Sequence, residues 1–264
     1  MNNILIAGGV VAVIGLIFGV LLGIASKIFA VEQDEKLPLI LEVLPGANCG
    51  GCGFAGCSQF ANAVISGEAK AGGCPVGGMD AARGISKIMG IAMEDFEKKV
   101  AFVRCAGSEG LAEVKYSYEG NMDCYSASRI AGGQKACQYS CLGYGTCLIA
   151  CKFGAISIKD NLAVVDFHRC TGCGQCVAAC PKNVIGIVSK KDKYIVKCQN
   201  KDKAAELKFK CATGCIGCKL CEKTCPVSAV KVDNFLATID KDLCISCGQC
   251  AEKCPRKIIR KVTV

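Results

Sequence analysis

Between Ile4 and Ser26 the chain runs 23 positions without a charged side chain. At about 1.5 Å per residue this stretch reaches the roughly 30 Å of a bilayer's hydrocarbon core, and it predicts a transmembrane helix. A cleaved leader would put a basic segment before the apolar run and a small-x-small site after it. Only Met1, Asn2 and Asn3 precede the run and Lys27 follows it, which favours a single-pass anchor in an inner (cytoplasmic) membrane with the bulk of the chain on the cytoplasmic side. Gly15, Gly19 and Gly23 fall four apart, a stripe along which another membrane helix can approach closely, so an integral membrane partner is expected. A charged, proline-marked linker follows from Val31 to Leu44. Helical spacing returns over Cys57 to Ser66 and over Gly78 to Gly90, where Ala82, Ile85 and Met89 share a face. Val100 to Val103 and Val114 to Tyr118 read as short strands.

Cysteine then dominates the pattern. The run CTGCGQCVAACP from Cys170 to Pro181 has the spacing C-x2-C-x2-C-x3-C-P, and it recurs as Cys215 to Pro226 and Cys244 to Pro255. Three thiolates at that spacing wrap one corner of a cubic iron–sulfur cluster, and the fourth, followed by proline, points to a neighbouring cluster. Zinc sites pair C-x-x-C units across longer gaps and often recruit histidine, whereas this chain has 1 His. A disulfide framework suits small secreted domains without such runs, so 24 cysteines in 264 residues imply a reducing compartment. Cluster ligation then contributes folding energy that an interrupted aliphatic sequence cannot supply.

The formal charge of +9 would ordinarily suggest an anionic polymer. Each oxidised four-iron cluster with four thiolates carries roughly −2, so five or six of them bring the loaded chain near neutrality. No aromatic-interleaved basic motif is present, and nucleic acid is set aside as a partner.

From Cys124 onward the chain repeats at a period of 74 residues. Adding 74 to Cys124, Cys137, Cys141, Cys147 and Cys151 gives Cys198, Cys211, Cys215, Cys221 and Cys225. The same step takes Cys170, Cys173, Cys176 and Cys180 to Cys244, Cys247, Cys250 and Cys254, and Leu162–Asp166 to Leu236–Asp240. Two copies of a two-cluster ferredoxin module account for this, each motif giving three ligands to one cluster and its last cysteine to the other. In the second copy Cys215, Cys218, Cys221 and Cys254 hold one cluster, and Cys244, Cys247, Cys250 and Cys225 the other. In the first copy Tyr144 stands where Cys218 would be and Lys152 replaces the proline. Cys137, Cys141, Cys147 and Cys180 are therefore the expected ligands of one cluster, beside Cys170, Cys173, Cys176 and Cys151 for the other.

Before the modules, Cys49, Cys52, Cys57 and Cys74 give C-x2-C-x4-C-x16-C among glycines that let backbone N–H groups turn toward sulfur. Five clusters use 20 of the 24 cysteines and leave Cys105, Cys124, Cys198 and Cys211. These four either hold a sixth cluster or are relics of the duplication, buried as small hydrophobes. His168 beside Cys170 reads as structural. Lys190, Lys191, Lys193, Lys197, Lys201 and Lys203, with Arg256, Lys257, Arg260 and Lys261 at the end, either receive an acidic electron carrier or form a solvated surface.

The run LPGANCGGCGFAGCSQFANAV with its distal CPVGG resembles the four-cysteine iron–sulfur domain shared by the B subunit of the Rnf complex and corrinoid iron–sulfur proteins. Over nearly the whole chain, the order of apolar span, CGGCGFAGC domain and tandem ferredoxin modules resembles the Rnf B subunit, part of an ion-translocating ferredoxin:NAD+ oxidoreductase. The resemblance implies a donor, reduced soluble ferredoxin, and partner subunits carrying flavin, the NAD site and the Na+ or H+ path. The competing readings are a polyferredoxin subunit of a membrane hydrogenase or formate-oxidising complex, and a membrane-anchored zinc protein. No P-loop, dinucleotide fingerprint, paired carboxylates or Ser/His/Asp set appears, so no bond chemistry on an organic substrate is expected from this chain. The fold class expected is α+β. Its parts are a transmembrane anchor (1–30), a four-cysteine [4Fe–4S] domain (31–92), a connector (93–135) and two ferredoxin-like modules (136–190 and 191–264).

Overall fold

The computed structural model describes residues 2–28, 34–93, 96–189 and 191–262. The uncharged stretch forms one helix, α1 (Asn2–Ile28); the side chains of residues 4–7, 10 and 11 lie outside the described ones. Among the described residues no helix is long and apolar enough to cross a membrane. The span expected between Ile4 and Ser26 is therefore not shown by the fold, which shows a helix whose described apolar side chains stay exposed, Leu16 and Leu22 at 69%.

The first domain packs α2 (Lys36–Val43), α3 (Cys57–Ile65), a 3-10 turn (Ala71–Gly73) and α4 (Gly78–Met89). Its core joins Ile40, Phe60, Val64 and Ile85. Phe60, Ala61 and Val64 share one face of α3, and fully burying side chains as large as Phe60 or Ile85 contributes about 1.5–3 kcal/mol each. Gly90, in the left-handed region at φ 69°, ends α4 and sends its N–H back to Ser86. Both helices lie within a residue of the expected bounds.

The rest of the chain comprises β1 (Lys99–Val103), α5 (Cys124–Arg129) and two copies of one unit. The first copy is α6 (Thr146–Ile149), β2 (Ile156–Lys159), β3 (Leu162–Val165), α7 (Gln175–Ala178) and β4 (Ile185–Ser189). After β5 (Tyr194–Val196) and α8 (Ala204–Leu207) the second copy runs α9 (Leu220–Thr224), β6 (Val230–Asp233), β7 (Leu236–Ile239), α10 (Gln249–Lys253) and β8 (Ile259–Lys261). The hairpins β2–β3 and β6–β7 are antiparallel with equivalent registers, Ile156 opposite Val165 and Val230 opposite Ile239. Both turn through two residues of positive φ, Asp160–Asn161 and Asn234–Phe235, the twist that a two-residue hairpin needs.

Each copy is completed by a strand from outside it. β1 pairs antiparallel with β4, Lys99 opposite Ser189 and Val103 opposite Ile185, and β5 pairs with β8, Tyr194 opposite Lys261. The ladders extend alike by one further bond, from Arg104 N–H to Val184 carbonyl at 2.6 Å and from Lys197 N–H to Ile258 carbonyl at 2.7 Å. The start of the expected connector thus packs with the first module: Val100, Ala101, Val103 and Cys105 join its core, while the second module keeps a core of its own. The strand expected over 114–118 reduces to an isolated bridge, Val114 to Lys135. The Tyr116 hydroxyl instead donates to Ile130 carbonyl at 2.5 Å, fixing this loop by a side chain rather than a ladder.

Candidate metal centres

In each copy the third cysteine of a motif enters a short helix just after a left-handed residue. Gly174 at φ 79° precedes α7 with Cys176, and Gly248 at φ 83° precedes α10 with Cys250. The reversal turns the preceding loop so that its thiols face the one on the helix. Backbone N–H groups then approach sulfur at repeat-equivalent positions: Ala155 to Cys151 at 3.4 Å and Ala229 to Cys225 at 3.2 Å. β1 brings Ala101 N–H to within 3.3 Å of Cys170 sulfur.

The thiols gather in fours. Cys215, Cys218, Cys221 and Cys254 line one cavity, and Cys151, Cys170, Cys173 and Cys176 line another. Burial, then the Cys170, Cys173 and Cys151 thiolates, push the Cys176 thiol up to about 12. Burial and the partners of Cys221 push it to about 11. The Cys250 thiol is raised by burial, then by Cys244, Cys225 and Cys247. In the first domain burial raises Cys74, with smaller contributions from Cys52 and Cys49, against the Gly77 N–H that reaches its sulfur at 3.3 Å. Cys57 opens α3 with its N–H on Asn48 Oδ1 at 2.8 Å, and Cys52, Cys57 and Cys74 pack on one core.

In module one the structure sets a further thiol beside the expected ones. The thiol of Cys147 is pushed up to about 12 by burial, then by Cys141, Cys124, Cys180 and Cys176. Cys124, read in the sequence as one of four thiols that either hold a sixth cluster or are relics, starts α5 under the Asp123 cap and donates its N–H to Thr146 Oγ1 at 2.8 Å, beside Cys147. Tyr144, in the place of the missing thiol, lies against Tyr118 with ring centroids 5.4 Å apart. Cys137, expected in that set, lines a cavity with Cys105, Cys198 and Cys211. A signal was available: Cys137 repeats as Cys211, and the second module completes its four ligands without Cys211.

Among the described residues no three His, Cys, Asp or Glu side chains converge on a point that would hold one metal ion. The sulfurs instead surround a volume, as ligands of a cubic cluster do, and amide N–H groups directed at sulfur suit an anionic thiolate–cluster assembly. The raised Cys74, Cys147, Cys176, Cys221 and Cys250 thiols lose their protons on taking up a cluster. His168 is exposed and engages Asp166 through its backbone N–H. Among the basic groups, Arg256 donates to Ala212 carbonyl, Lys257 to Glu252 carbonyl at 2.9 Å, and Lys197 is half-buried; Lys190 lies outside the described residues.

Comparison with known proteins places iron–sulfur domains over these stretches. A family model for an Fe-S cluster matches residues 44–76, and models described as 4Fe-4S dicluster domains match residues 135–185, 214–259 and 169–229. The B subunit of the ion-translocating oxidoreductase complex of Methanosarcina acetivorans is 43% identical over 261 residues, 98% of this chain and 99% of that one. The chain belongs to this B-subunit family. The B subunit of the Na+-translocating ferredoxin:NAD+ oxidoreductase complex of Acetobacterium woodii is 45% identical, covering 98% of this chain and 78% of its own length. The B subunit of the proton-translocating ferredoxin:NAD+ oxidoreductase complex of Clostridium ljungdahlii is 42% identical over 99% and 94%. Membership sets aside the zinc reading and fits a four-thiolate set to four-iron clusters in both modules.

Within this B-subunit fold the sets adjoin one another. Gln175, beside Cys173 and Cys176, donates to Cys49 carbonyl. A Cβ on Gly51 would lie 2.8 Å from Cys173 carbonyl oxygen, so the first domain is seated on the Cys170 loop by direct backbone approach. The Cys147 set follows, since Cys176 acts on Cys147.

Proposed function

We infer that this chain is the electron-carrying B subunit of an ion-translocating ferredoxin:NAD+ oxidoreductase complex. The observation that carries the reading is the grouping of thiols in fours across a first domain and two modules, in a chain that aligns with such subunits over almost its whole length. A bound [4Fe–4S] cluster supplies a one-electron centre, with a potential that hydrogen bonds to sulfur, burial and local charge tune. This chain's residues hold those centres, exclude water from them and keep them adjacent.

Cys49, Cys52, Cys57 and Cys74 hold the first centre, and Cys151, Cys170, Cys173 and Cys176 the next. Module two holds its pair through Cys215, Cys218, Cys221 and Cys254 and through Cys225, Cys244, Cys247 and Cys250. Cys218 and Cys247 are exposed, as are the neighbouring Leu243 and Ile245, which makes the tip of module two the surface that receives reduced ferredoxin. The other end leads to α1. A helix of 27 residues, about 40 Å long, with no charge before Lys27 and exposed apolar side chains, is the membrane anchor of this reading. Its Gly15, Gly19 and Gly23 face is open, with nothing within 4 Å, and takes an integral membrane partner; flavin and NAD sites belong to other subunits. The relatives' names divide between Na+ and proton, and the coupling ion is a property of those subunits.

Anaerobic purification of the tagged chain from membranes tests this. Carbonate-resistant membrane association, co-purifying subunits and ferredoxin-dependent NAD+ reduction by the complex are the expected results. A chain released by carbonate, or a complex that ignores reduced ferredoxin, would overturn the reading.

A further inference from the structure

We propose that Cys105, Cys137, Cys198 and Cys211 hold a sixth [4Fe–4S] cluster between the two modules, and that Cys124 takes the place of Cys137 in module one. The proposal rests on the electron-carrying reading above and deepens it.

Three observations carry it. These four thiols line one cavity together, as the sets of regular spacing line theirs. The four are also two equivalent pairs. Cys105 and Cys198 each stand two residues past the strand that completes a module, after Arg104 and Lys197, whose N–H groups make matching bonds to Val184 and Ile258. Cys137 and Cys211 are 74 residues apart. A site made of two pairs in equivalent settings is what two copies facing each other produce, whereas relics of duplication have no reason to converge.

The surroundings suit an anion. Asn200 Nδ2 lies 3.2 Å from Cys137 sulfur, and N–H groups of Cys215 and Asn200 reach Cys198 sulfur at 3.3 and 3.5 Å. Arg104 and Lys197 line the cavity, and Arg104 Nε is buried without a partner among the described residues. A Cβ on Gly107 would lie 3.4 Å from Cys211 sulfur and 3.7 Å from Cys105 sulfur, and the Gly107 carbonyl accepts from the buried Lys135 ammonium at 2.9 Å. Taking a preformed cluster, the four thiols release four protons and leave an assembly of charge about −2.

Position gives the site its use. Cys105 lies within electrostatic reach of Cys141 in the Cys147 set, and the Cys215 N–H on Cys198 ties the site to the Cys221 set. The sets therefore form one line: Cys74, Cys170, Cys147, then Cys137, Cys221 and Cys250. The new site is the link between modules.

Paired substitutions in the full chain, purified anaerobically, test the assignment. The parent should carry about 24 irons, six clusters of four. C105S/C137S removes two thiolates of one proposed cluster and should lower the count by about four, with the electron paramagnetic resonance of reduced module two losing its broadening by a neighbour. C105S/C124S takes one thiolate from each of two clusters and should lower it by about eight. A parent with about 20 irons, a C105S/C137S loss of about eight, or zinc in this site would overturn the proposal while leaving the family reading intact. A chain without iron–sulfur absorbance would overturn both. Unchanged far-ultraviolet circular dichroism and retained signals from the Cys250 set separate loss of a site from loss of fold.

Discussion

The two modules share a hairpin register, a strand borrowed from outside and equivalent amide–sulfur bonds, yet one has the complete motif and the other has Tyr144 where a thiol should be. In module two the ligands of the Cys221 set come from one loop and the partner motif. In module one the missing ligand comes from α5, well upstream of Tyr144, where Asp123 caps the helix that begins with Cys124 and a hydrogen bond to Thr146 seats it beside Cys147. A cluster site is thus specified by where sulfur atoms converge, and the motif is one way among several of achieving that. A spare thiol nearby lets a copy lose a motif cysteine without losing its centre.

Removing thiols from the complete copy should have the largest effect. C215S/C221S takes out two ligands that also belong to the module's core. We expect loss of about four irons and a thermal transition for module two well below that of module one, followed by calorimetry. Equal transitions would show that the modules do not depend on their own centres.

The metal-free chain sharpens the comparison through pH. Cys147 and Cys176 of module one are held at about 12, against an ordinary value of 9.0, and Cys221 of module two at about 11. A thiol whose pKa is raised by folding favours the folded state below the unfolded value, and that contribution is lost as pH rises through the folded one. Apo protein should therefore melt progressively lower from about pH 9 upward, the loss continuing to higher pH in module one than at Cys221 of module two, whereas the loaded protein, its thiols already deprotonated, should not. A flat apo profile would contradict the burial of these thiols.

A smaller effect is expected at the seat between the first domain and module one. Gly51→Ala forces a Cβ against the Cys173 backbone, an overpacking that costs about 1–3 kcal/mol. Limited proteolysis between residues 93 and 99 should accelerate with module two unaffected. Smallest is Lys210→Ala, which removes a 2.7 Å ion pair with Asp202 whose lysine is 29% exposed. Such pairs contribute about 0.2–1 kcal/mol, a shift near the limit of detection in a melt.

Much of this was legible in the sequence. The 74-residue period returned the repeated hairpins, and residue spacing placed α3 and α4. What was not legible depends on contacts far apart in the chain. Nothing near Val100 names β4 as its partner, so the first residues of the connector were not recognised as part of module one. Val114 to Tyr118 alternates as a strand would, but the Tyr116 hydroxyl finds Ile130 and no ladder forms. Cys137 lies four residues from Cys141 and Cys124 seventeen, so proximity along the chain favours Cys137; the α5 cap and the Thr146 contact that seat Cys124 beside Cys147 are not legible there.

The proposed completion of module one by Cys124, in place of the thiol that Tyr144 lost, is tested most directly by restoring that thiol. C124S should lose about four irons, and C124S/Y144C should regain them with the [4Fe–4S] Mössbauer signature of the parent. A C124S chain with its full iron complement, or one that Y144C fails to restore while it stays folded, would contradict it.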